Sequence, residues 1–328
     1  MSSFKIAIIG TGGIAEKMAF TVEAMENVEI YAVVSRTSEN ARRFAERWNV
    51  KKAFHSQDEM LNDENIELVY IATPHSNHYE EARRCLLKGK PVLCEKAFTA
   101  TAKQAEELLR ISKEKNVFIT EAIWTRYMPL SKTIIELVKS GIIGKPMFLT
   151  ANLGYPNHFM ERLINPALAG GALLDLGVYP INFASMVLGP DIKKTVSSCT
   201  LTDTKVDGQN SITMTFAEGA MAVLCSTIYA KTDRQGIISG EKGHIIVENI
   251  NNPQKVTVIG EDYQVVKEYE RPPQITGYEY QIYASMEAIR EGRIEATDMP
   301  HAETLRIMRL MDNLRKEWGV RYPADNDV

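Results

Sequence analysis

Three short stretches of the chain hold the residue types that move protons and hydrides. Val92-Leu93-Cys94-Glu95-Lys96-Ala97 sets a lysine just beyond a short apolar run, a place lysines rarely take without a partner. Asp175-Leu176-Gly177-Val178-Tyr179 sets a carboxylate and a phenol four residues apart, a spacing that puts both on one helical face. Gly10-Thr11-Gly12-Gly13-Ile14-Ala15 fits G-x-G-x-x-A, in which glycines allow close approach to a pyrophosphate and a following helix N-terminus attracts its charge. An ammonium such as Lys96 can hydrogen-bond a reacting oxygen. A phenol, with a reference pKa of about 10 that a neighbouring cation lowers, can exchange a proton with it. Read singly, Lys96 also suits a salt bridge to Glu95 or Asp175, and Tyr179 a packed aromatic.

The cofactor is read at the end of the second apolar run. Enzymes of NAD place an acid there for the ribose hydroxyls, whereas this chain has Ser35-Arg36-Thr37-Ser38. No carboxylate repels a 2'-phosphate, and Arg36 can bond that phosphate, with Ser35, Thr37 and Ser38 adding donors. NADP is favoured and NAD stays open, since Arg36 also reads as a solvated loop charge. Ile71-Ala72-Thr73-Pro74-His75-Ser76-Asn77-His78 forms a loop expected to cross the cofactor, with Asn77 capping the next helix. His78 either contacts cofactor or substrate or orients this loop, and His75 reads as solvated.

These residues need elements to place them. From Phe4 to about Phe118, short apolar runs at Lys5–Ile9, Val28–Ser35, Leu68–Ala72, Val92–Glu95 and Val117–Thr120 alternate with amphipathic stretches near 14–25, 38–48, 77–88 and 101–115. That is how a parallel sheet with crossover helices reads. Beyond about residue 145 strands follow one another directly, at 147–152, 195–202, 211–216, 220–229, 235–239 and 244–248. Glu218-Gly219 and Glu241-Lys242-Gly243 mark turns, so an antiparallel meander is expected. Such a sheet leaves one apolar face needing cover, which a second copy of the chain can supply. Two amphipathic helices, 278–291 and 302–318, close the chain, the last a candidate to pack back on the first domain.

Composition excludes several classes. The 328 residues, 45% hydrophobic, suffice for two domains. A formal net charge of -4 gives no electrostatic case for nucleic acid or an anionic membrane. No run is expected to reach the roughly 18 to 20 apolar residues of a bilayer span, and the first residues lack the apolar core of a signal peptide. Four scattered cysteines with no CxxC pair suggest neither disulfides nor a metal site and fit the cytoplasm.

The ordered combination of the glycine motif, Ala72-Thr73-Pro74 with Asn77-His78, Glu95-Lys96 and Asp175 through Tyr179 resembles the glucose-fructose oxidoreductase and inositol dehydrogenase (Gfo/Idh/MocA) family over nearly the whole chain. Glu121-Ala122-Ile123-Trp124-Thr125-Arg126 and Gly170-Gly171-Ala172-Leu173-Leu174-Asp175 look most like its dimeric dihydrodiol dehydrogenase branch. The resemblance implies an NAD(P)-binding Rossmann domain over 1–122 and a domain for substrate and dimerisation over 123–328, α+β with an open-faced, mostly antiparallel sheet. It implies a homodimer, or a dimer of dimers, through that sheet. It also implies that Lys96 contacts nicotinamide and substrate, that Tyr179 is the acid/base, and that Glu95, Trp124 and Arg126 lie near the cofactor. Inositol dehydrogenases carry His where this chain has Tyr179, which weighs against inositol as substrate.

The expected activity is hydride transfer between NAD(P) and a CH–OH carbon of a sugar, polyol or diol, with Lys96, Tyr155, Asp175 and Tyr179 at the substrate. Asn152, Asn157, His158 and Arg162 are further donors expected to line the pocket. Two rivals stand beside it: a cofactor- or sugar-sensing regulator without turnover, and an enzyme holding NAD tightly for transient oxidation that drives hydrolysis or elimination.

Overall fold

In the first half of the chain each apolar run is too short for a helix and ends on a glycine, a proline or a polar residue, so it forms a strand that stops at a loop. The computed structural model describes residues 3–326. Six strands, β1 (Phe4–Ile9), β2 (Val28–Val34), β3 (Lys52–Phe54), β4 (Leu68–Ile71), β5 (Val92–Glu95) and β6 (Ile119–Ala122), pair in parallel in the order β3-β2-β1-β4-β5-β6. The order reverses between β1 and β4, the place where open α/β sheets bind ligands beyond their carboxyl ends. The central strands are buried on both faces, which is why they read as unbroken apolar runs: Ile6, Ile8, Leu68, Ile71 and Leu93 are all sealed. Each such side chain contributes about 1.5–3 kcal/mol by leaving water.

Register carries the chemistry to one edge. Ile9, Ile71, Cys94 and Glu121 lie in one cross-strand row. Gly10, Thr73, Lys96 and Trp124 therefore all emerge from the carboxyl edge of the sheet.

The later strands are β7 (Pro146–Gly154), β8 (Ile192–Leu201), β9 (Asp207–Phe216), β10 (Met221–Thr227), β11 (Gly236–Gly240), β12 (Gly243–Val247), β13 (Lys255–Gly260) and β14 (Val265–Glu270). They form one sheet in the order β14-β13-β12-β11-β7-β10-β9-β8. Every pair is antiparallel except β7 with β10, which corrects the simple meander: β7 enters the middle of the sheet, and the chain crosses over before β10 joins it in parallel. Burial alternates, with Leu149, Ala151, Ile212, Met214, Ala222 and Leu224 on a covered face. The helix Val178–Leu188 packs on that face, against β7 and β10.

Three strands escape the sequence reading. β3 has three residues and no alternation, and β13, KVTVIG, which buries Val256 and Val258, forms a hairpin with the edge strand β14, VVKEYE, which is mostly exposed. β6 begins two residues later than expected. One further correction concerns the apolar run Pro166–Leu188, which is long and apolar enough to cross a membrane, with a mean hydropathy of 1.4 in its window. That window is 83% buried, and its last turns, Val178–Leu188, form the core helix of the second sheet.

The chain separates into two compact units, Met1–Trp124 with Gln274–Met308, and Thr125–Pro273 with Arg309–Val328. The helix Glu279–Arg290 thus belongs with the parallel sheet, as do the first residues of the helix His301–Trp318. His301 fixes this return in the first unit, its Nε2 lying 2.8 Å from the carbonyl oxygen of Ile119 on β6.

Candidate active site

The glycine loop follows β1 directly. Gly10 sits at φ +100, and a Cβ there would meet the Ala72 carbonyl oxygen at 2.8 Å, so only glycine lets β1 and β4 end this close together. Gly12 and Gly13 face open space, and the helix Gly13–Glu23 starts at Gly12 with no side chain capping it. The first turn therefore offers bare N–H groups to an anion, the cradle a dinucleotide pyrophosphate fits. Ile14 continues that turn and Ala15 is buried against the sheet. Thr11 and Ser35 hydroxyls lie 3.0 Å apart, tying the end of β2 to the loop. Arg36 is exposed, and Thr37 caps the helix Ser38–Trp48 by accepting the Asn40 N–H at 3.3 Å. Ser38 is engaged by His55 Nδ1 at 2.9 Å.

The loop after β4 is held from within. Thr73 donates its hydroxyl to Glu81 at 2.5 Å, and its carbonyl oxygen lies 2.9 Å from His78 Nε2. His78 Nδ1 lies 2.9 Å from the Ala97 carbonyl oxygen, so this sealed imidazole ties the loop after β4 to the loop after β5. Burial holds its pKa below the ordinary histidine value, while the carbonyl contacts act in the opposite sense. Of its two sequence readings, orienting the loop is the one these contacts display. Asn77 does not cap: the helix begins at His75 with Pro74 as its cap residue, which leaves Asn77 exposed in the first turn. His75 is buried rather than solvated, its ring edge-on to His78 at 5.8 Å, because the earlier helix start turns it inward.

Lys96 follows β5, half-buried, and its peptide bond to Ala97 is cis. Beside it Glu95 is buried and accepts the hydroxyl of fully buried Tyr70, and Glu95 Oε2 accepts the Lys96 backbone N–H at 3.3 Å. Trp124 stacks flat on Tyr278, ring centroids 4.2 Å apart. All of these belong to the first unit.

The second unit presents the acid and the phenol. Residues Leu173–Gly177 form a π-turn that runs into the helix Val178–Leu188, so Asp175 and Tyr179 flank a change of helical pitch rather than sharing one α-helical face. Single π-turns of this kind are rare and recur at functional sites. Asp175 is 5% and Tyr179 7% exposed. Arg162 grips Asp175 with two nitrogens, at 2.8 and 3.4 Å, so Arg162 acts on the carboxylate, although the sequence reading gave it to the pocket wall. Arg126 Nη1 donates to Asn182 Oδ1 at 2.9 Å, and Asn182 donates to the Val178 carbonyl oxygen, which fixes Arg126 to the first turn after Tyr179.

Other expected pocket residues are placed differently. Asn152 lies on the sheet face opposite the Tyr179 helix, out of phase with buried Ala151 and Leu153, and holds Asp233 and the Arg234 N–H. The Tyr155 hydroxyl accepts from Asn251 at 3.2 Å and Arg234 at 3.4 Å. The Asn157 N–H is taken by Ile228, and exposed His158 packs beside Phe159 and Tyr229.

A family model described as an oxidoreductase family with an NAD-binding Rossmann fold matches residues 4–122, and the GFO/IDH/MocA C-terminal domain matches residues 131–246. The chain is 33% identical to D-xylose 1-dehydrogenase (NADP(+)) of Hypocrea jecorina, over 98% of this chain and 93% of that one. It is 31% identical to trans-1,2-dihydrobenzene-1,2-diol dehydrogenase of Xenopus laevis, over 97% and 99%. The chain belongs to the GFO/IDH/MocA oxidoreductase family. Among solved structures it is similar to KijD10, a 3-ketoreductase from Actinomadura kijaniata in complex with NADP and TDP-benzene, with a TM-score of 0.85, 25% identity and coverage of 96% and 98%.

This GFO/IDH/MocA protein is an NAD(P)-dependent oxidoreductase with the two-sheet architecture its sequence implies. Two carboxylates escaped the sequence reading. Burial pushes the Glu81 carboxyl up to about 7, and its signal was there to see: it stands three residues after His78 on one helical face. Burial likewise pushes Asp207 up to about 7. Of its partners Asn210 lies three residues on along β9, whereas the Leu173 N–H comes from the π-turn and no local spacing announces it.

Proposed function

We propose that this oxidoreductase interconverts a secondary alcohol and its carbonyl on a sugar, polyol or diol, with residues 1–122 binding the cofactor and 123–328 serving substrate and dimerisation. NADP supplies or takes the hydride when bound. Tyr179 exchanges the hydroxyl proton, and Lys96, a donor without acceptor capacity, stabilises the alkoxide-like oxygen. Asp175, countercharged by Arg162, orients the substrate or the lysine. The observation that carries the reading is the burial of Asp175 and Tyr179 across the π-turn: a carboxylate on the turn and a phenol in the first turn of the helix that follows are costly to keep in a core without chemistry to perform.

Substrate class and cofactor are supported by the relatives. Two are named for a diol and a pentose, each with hydroxyls on adjacent carbons, and one is named for NADP(+). The bare helix start, with Thr11, Thr73, Pro74 and Arg36 around the carboxyl edge, fits the cofactor, and Arg36 with no acid beside it favours NADP. Four free cysteines suit a reducing cytoplasm.

The test is turnover of D-xylose and of trans-1,2-dihydrobenzene-1,2-diol with NADP+ by Lys96→Met and Tyr179→Phe. Each variant loses at least about a hundredfold in kcat, the scale of a general acid/base group, with its fold intact by circular dichroism. Near-normal turnover in both removes the mechanism. A wild-type protein that binds neither NADPH nor NADH, once freed of retained nucleotide, removes the oxidoreductase step itself. Nucleotide that stays bound through gel filtration redirects the reading to transient oxidation.

A further inference from the structure

A chain of buried polar side chains runs under the π-turn Leu173–Gly177, along the sheet of the second unit. Asp207, at the start of β9, is fully buried. Its Oδ2 accepts the Leu173 backbone N–H at 2.7 Å and the Asn210 side-chain amide at 2.9 Å. Asn210 Oδ1 accepts the Ser226 hydroxyl at 3.0 Å, the two residues standing opposite each other on β9 and β10. Ser226 lies beside the far end of the turn, where a Cβ on Gly177 would come within 3.1 Å of its Oγ. The turn is thus bonded at its first amide by Asp207, whose carboxylate Asn210 and Ser226 hold in place.

This arrangement is expensive. Asp207 Oδ1 is buried without a hydrogen-bond partner, pressed against Gly171, where a Cβ would lie 2.3 Å from it. Gly171 itself sits at φ +121, a conformation that suits glycine alone. An apolar residue at 207 avoids the desolvation of a carboxylate, so stability does not explain the acid. What the acid does provide is a strong acceptor for one amide of the turn that carries Asp175 and leads to Tyr179.

We infer that Asp207 is a positioning residue for the reaction, setting the pitch of the π-turn through the Leu173 amide, with Asn210 and Ser226 holding its carboxylate, and with it the relative placement of Asp175 and Tyr179. The inference rests on the roles proposed above for those two residues.

The experiment compares Asp207→Leu with Asp207→Asn. Leucine removes the acceptor, whereas an asparagine oxygen in the place of Oδ2 still accepts from both Leu173 and Asn210. Amide exchange of the NADPH-saturated protein and kcat, KM and NADPH affinity are measured together. Asp207→Leu speeds exchange of residues 173–179 and lowers kcat by about tenfold each, with NADPH affinity within about twofold of wild type, the scale of one lost charge-assisted hydrogen bond. Asp207→Asn recovers most of both. A kcat within twofold of wild type in Asp207→Leu, or exchange that rises throughout the chain and does not recover in Asp207→Asn, overturns the inference. Should Asp207→Leu fail to fold, Asn210→Ala frees Oδ2 from its side-chain partner, and unchanged exchange and kcat there overturn it equally. Wild-type protein that turns over neither the pentose nor the diol breaks the proposed reaction, whereas the exchange measurement still reports whether Asp207 governs the turn.

Discussion

Arg36 faces a choice that one phosphate decides. It stands exposed at the end of β2, beside Ser35, whose hydroxyl is tied to Thr11 of the glycine loop. No carboxylate shares the position, so a 2'-phosphate meets a guanidinium and hydroxyl donors and no repulsion. Arg36→Ala is expected to weaken NADPH binding by about ten- to a hundredfold, the range of a hydrogen bond to a charged group, while NADH binding moves less than about twofold. A fluorescence titration with both nucleotides decides it, and equal losses for both make Arg36 an ordinary loop charge. At this scale the sequence discloses residue types better than partnerships. Lys96, Asp175 and Tyr179 stand out because charged and phenolic groups in apolar company need a reason. The Arg162–Asp175 pair, the Tyr70–Glu95 bond and the Asp207–Leu173 contact do not, because each partner arrives from a separate element and only the fold joins them.

The helix His75–Leu87 shows what a whole element adds. Its first turns carry His78 and Glu81 inward, and these fix Thr73 and the two loops beside the glycine loop. Glu81 is mostly buried, and burial raises its carboxyl from 4.5 to about 7, with the Thr73 hydroxyl and Arg84 acting against that rise. The folded protein therefore holds a proton that the unfolded chain releases, and Glu81 contributes fully only below pH 4.5. Its contribution falls as pH rises from 4.5 to 7 and is level above that. Relative to wild type, Glu81→Gln should gain stability by up to about 3 kcal/mol across this window. Denaturant melts at pH 4.5, 6 and 8 measure the difference, and a gap that stays constant with pH refutes the burial argument. The same scale shows where periodicity succeeds and fails. The alternation of apolar runs with amphipathic stretches discloses the parallel sheet, since buried strands have no polar face to confuse the pattern. It misses β3 and β14 because exposed edge strands bury too little to alternate, whereas β13 does alternate, with Val256 and Val258 buried, and its pattern was there to read. It misses the π-turn because a change of pitch over five residues leaves no trace in hydrophobic spacing.

Across the whole molecule, the second sheet raises the question of what covers its other face. The helix Val178–Leu188 takes one side. On the opposite side, register aligns Val196, Thr213, Val223, Thr150, Ile237 and Ile246 in a single row across β8, β9, β10, β7, β11 and β12. Phe148 and Met221 stand paired in a neighbouring position, at 42% and 38% exposed. Side chains of this row and its neighbours form an apolar surface of the kind that packs on another sheet about 10 Å away. The row spans the sheet rather than one edge strand, so a second copy is expected to meet it face to face. The protein is therefore expected to scatter light as a dimer of twice 36.9 kDa, or as a dimer of dimers, at micromolar concentration. Val223→Glu puts a carboxylate in the middle of the row. Burying it unpaired costs at least several kcal/mol per copy, enough to shift the dissociation constant by about a thousandfold or more. The variant should scatter as a monomer at the concentration where the wild type is dimeric, with its covered face and circular dichroism unchanged. A wild-type protein that is monomeric at that concentration rules out the sheet as the dimer surface, and a Val223→Glu variant that stays dimeric moves the interface elsewhere.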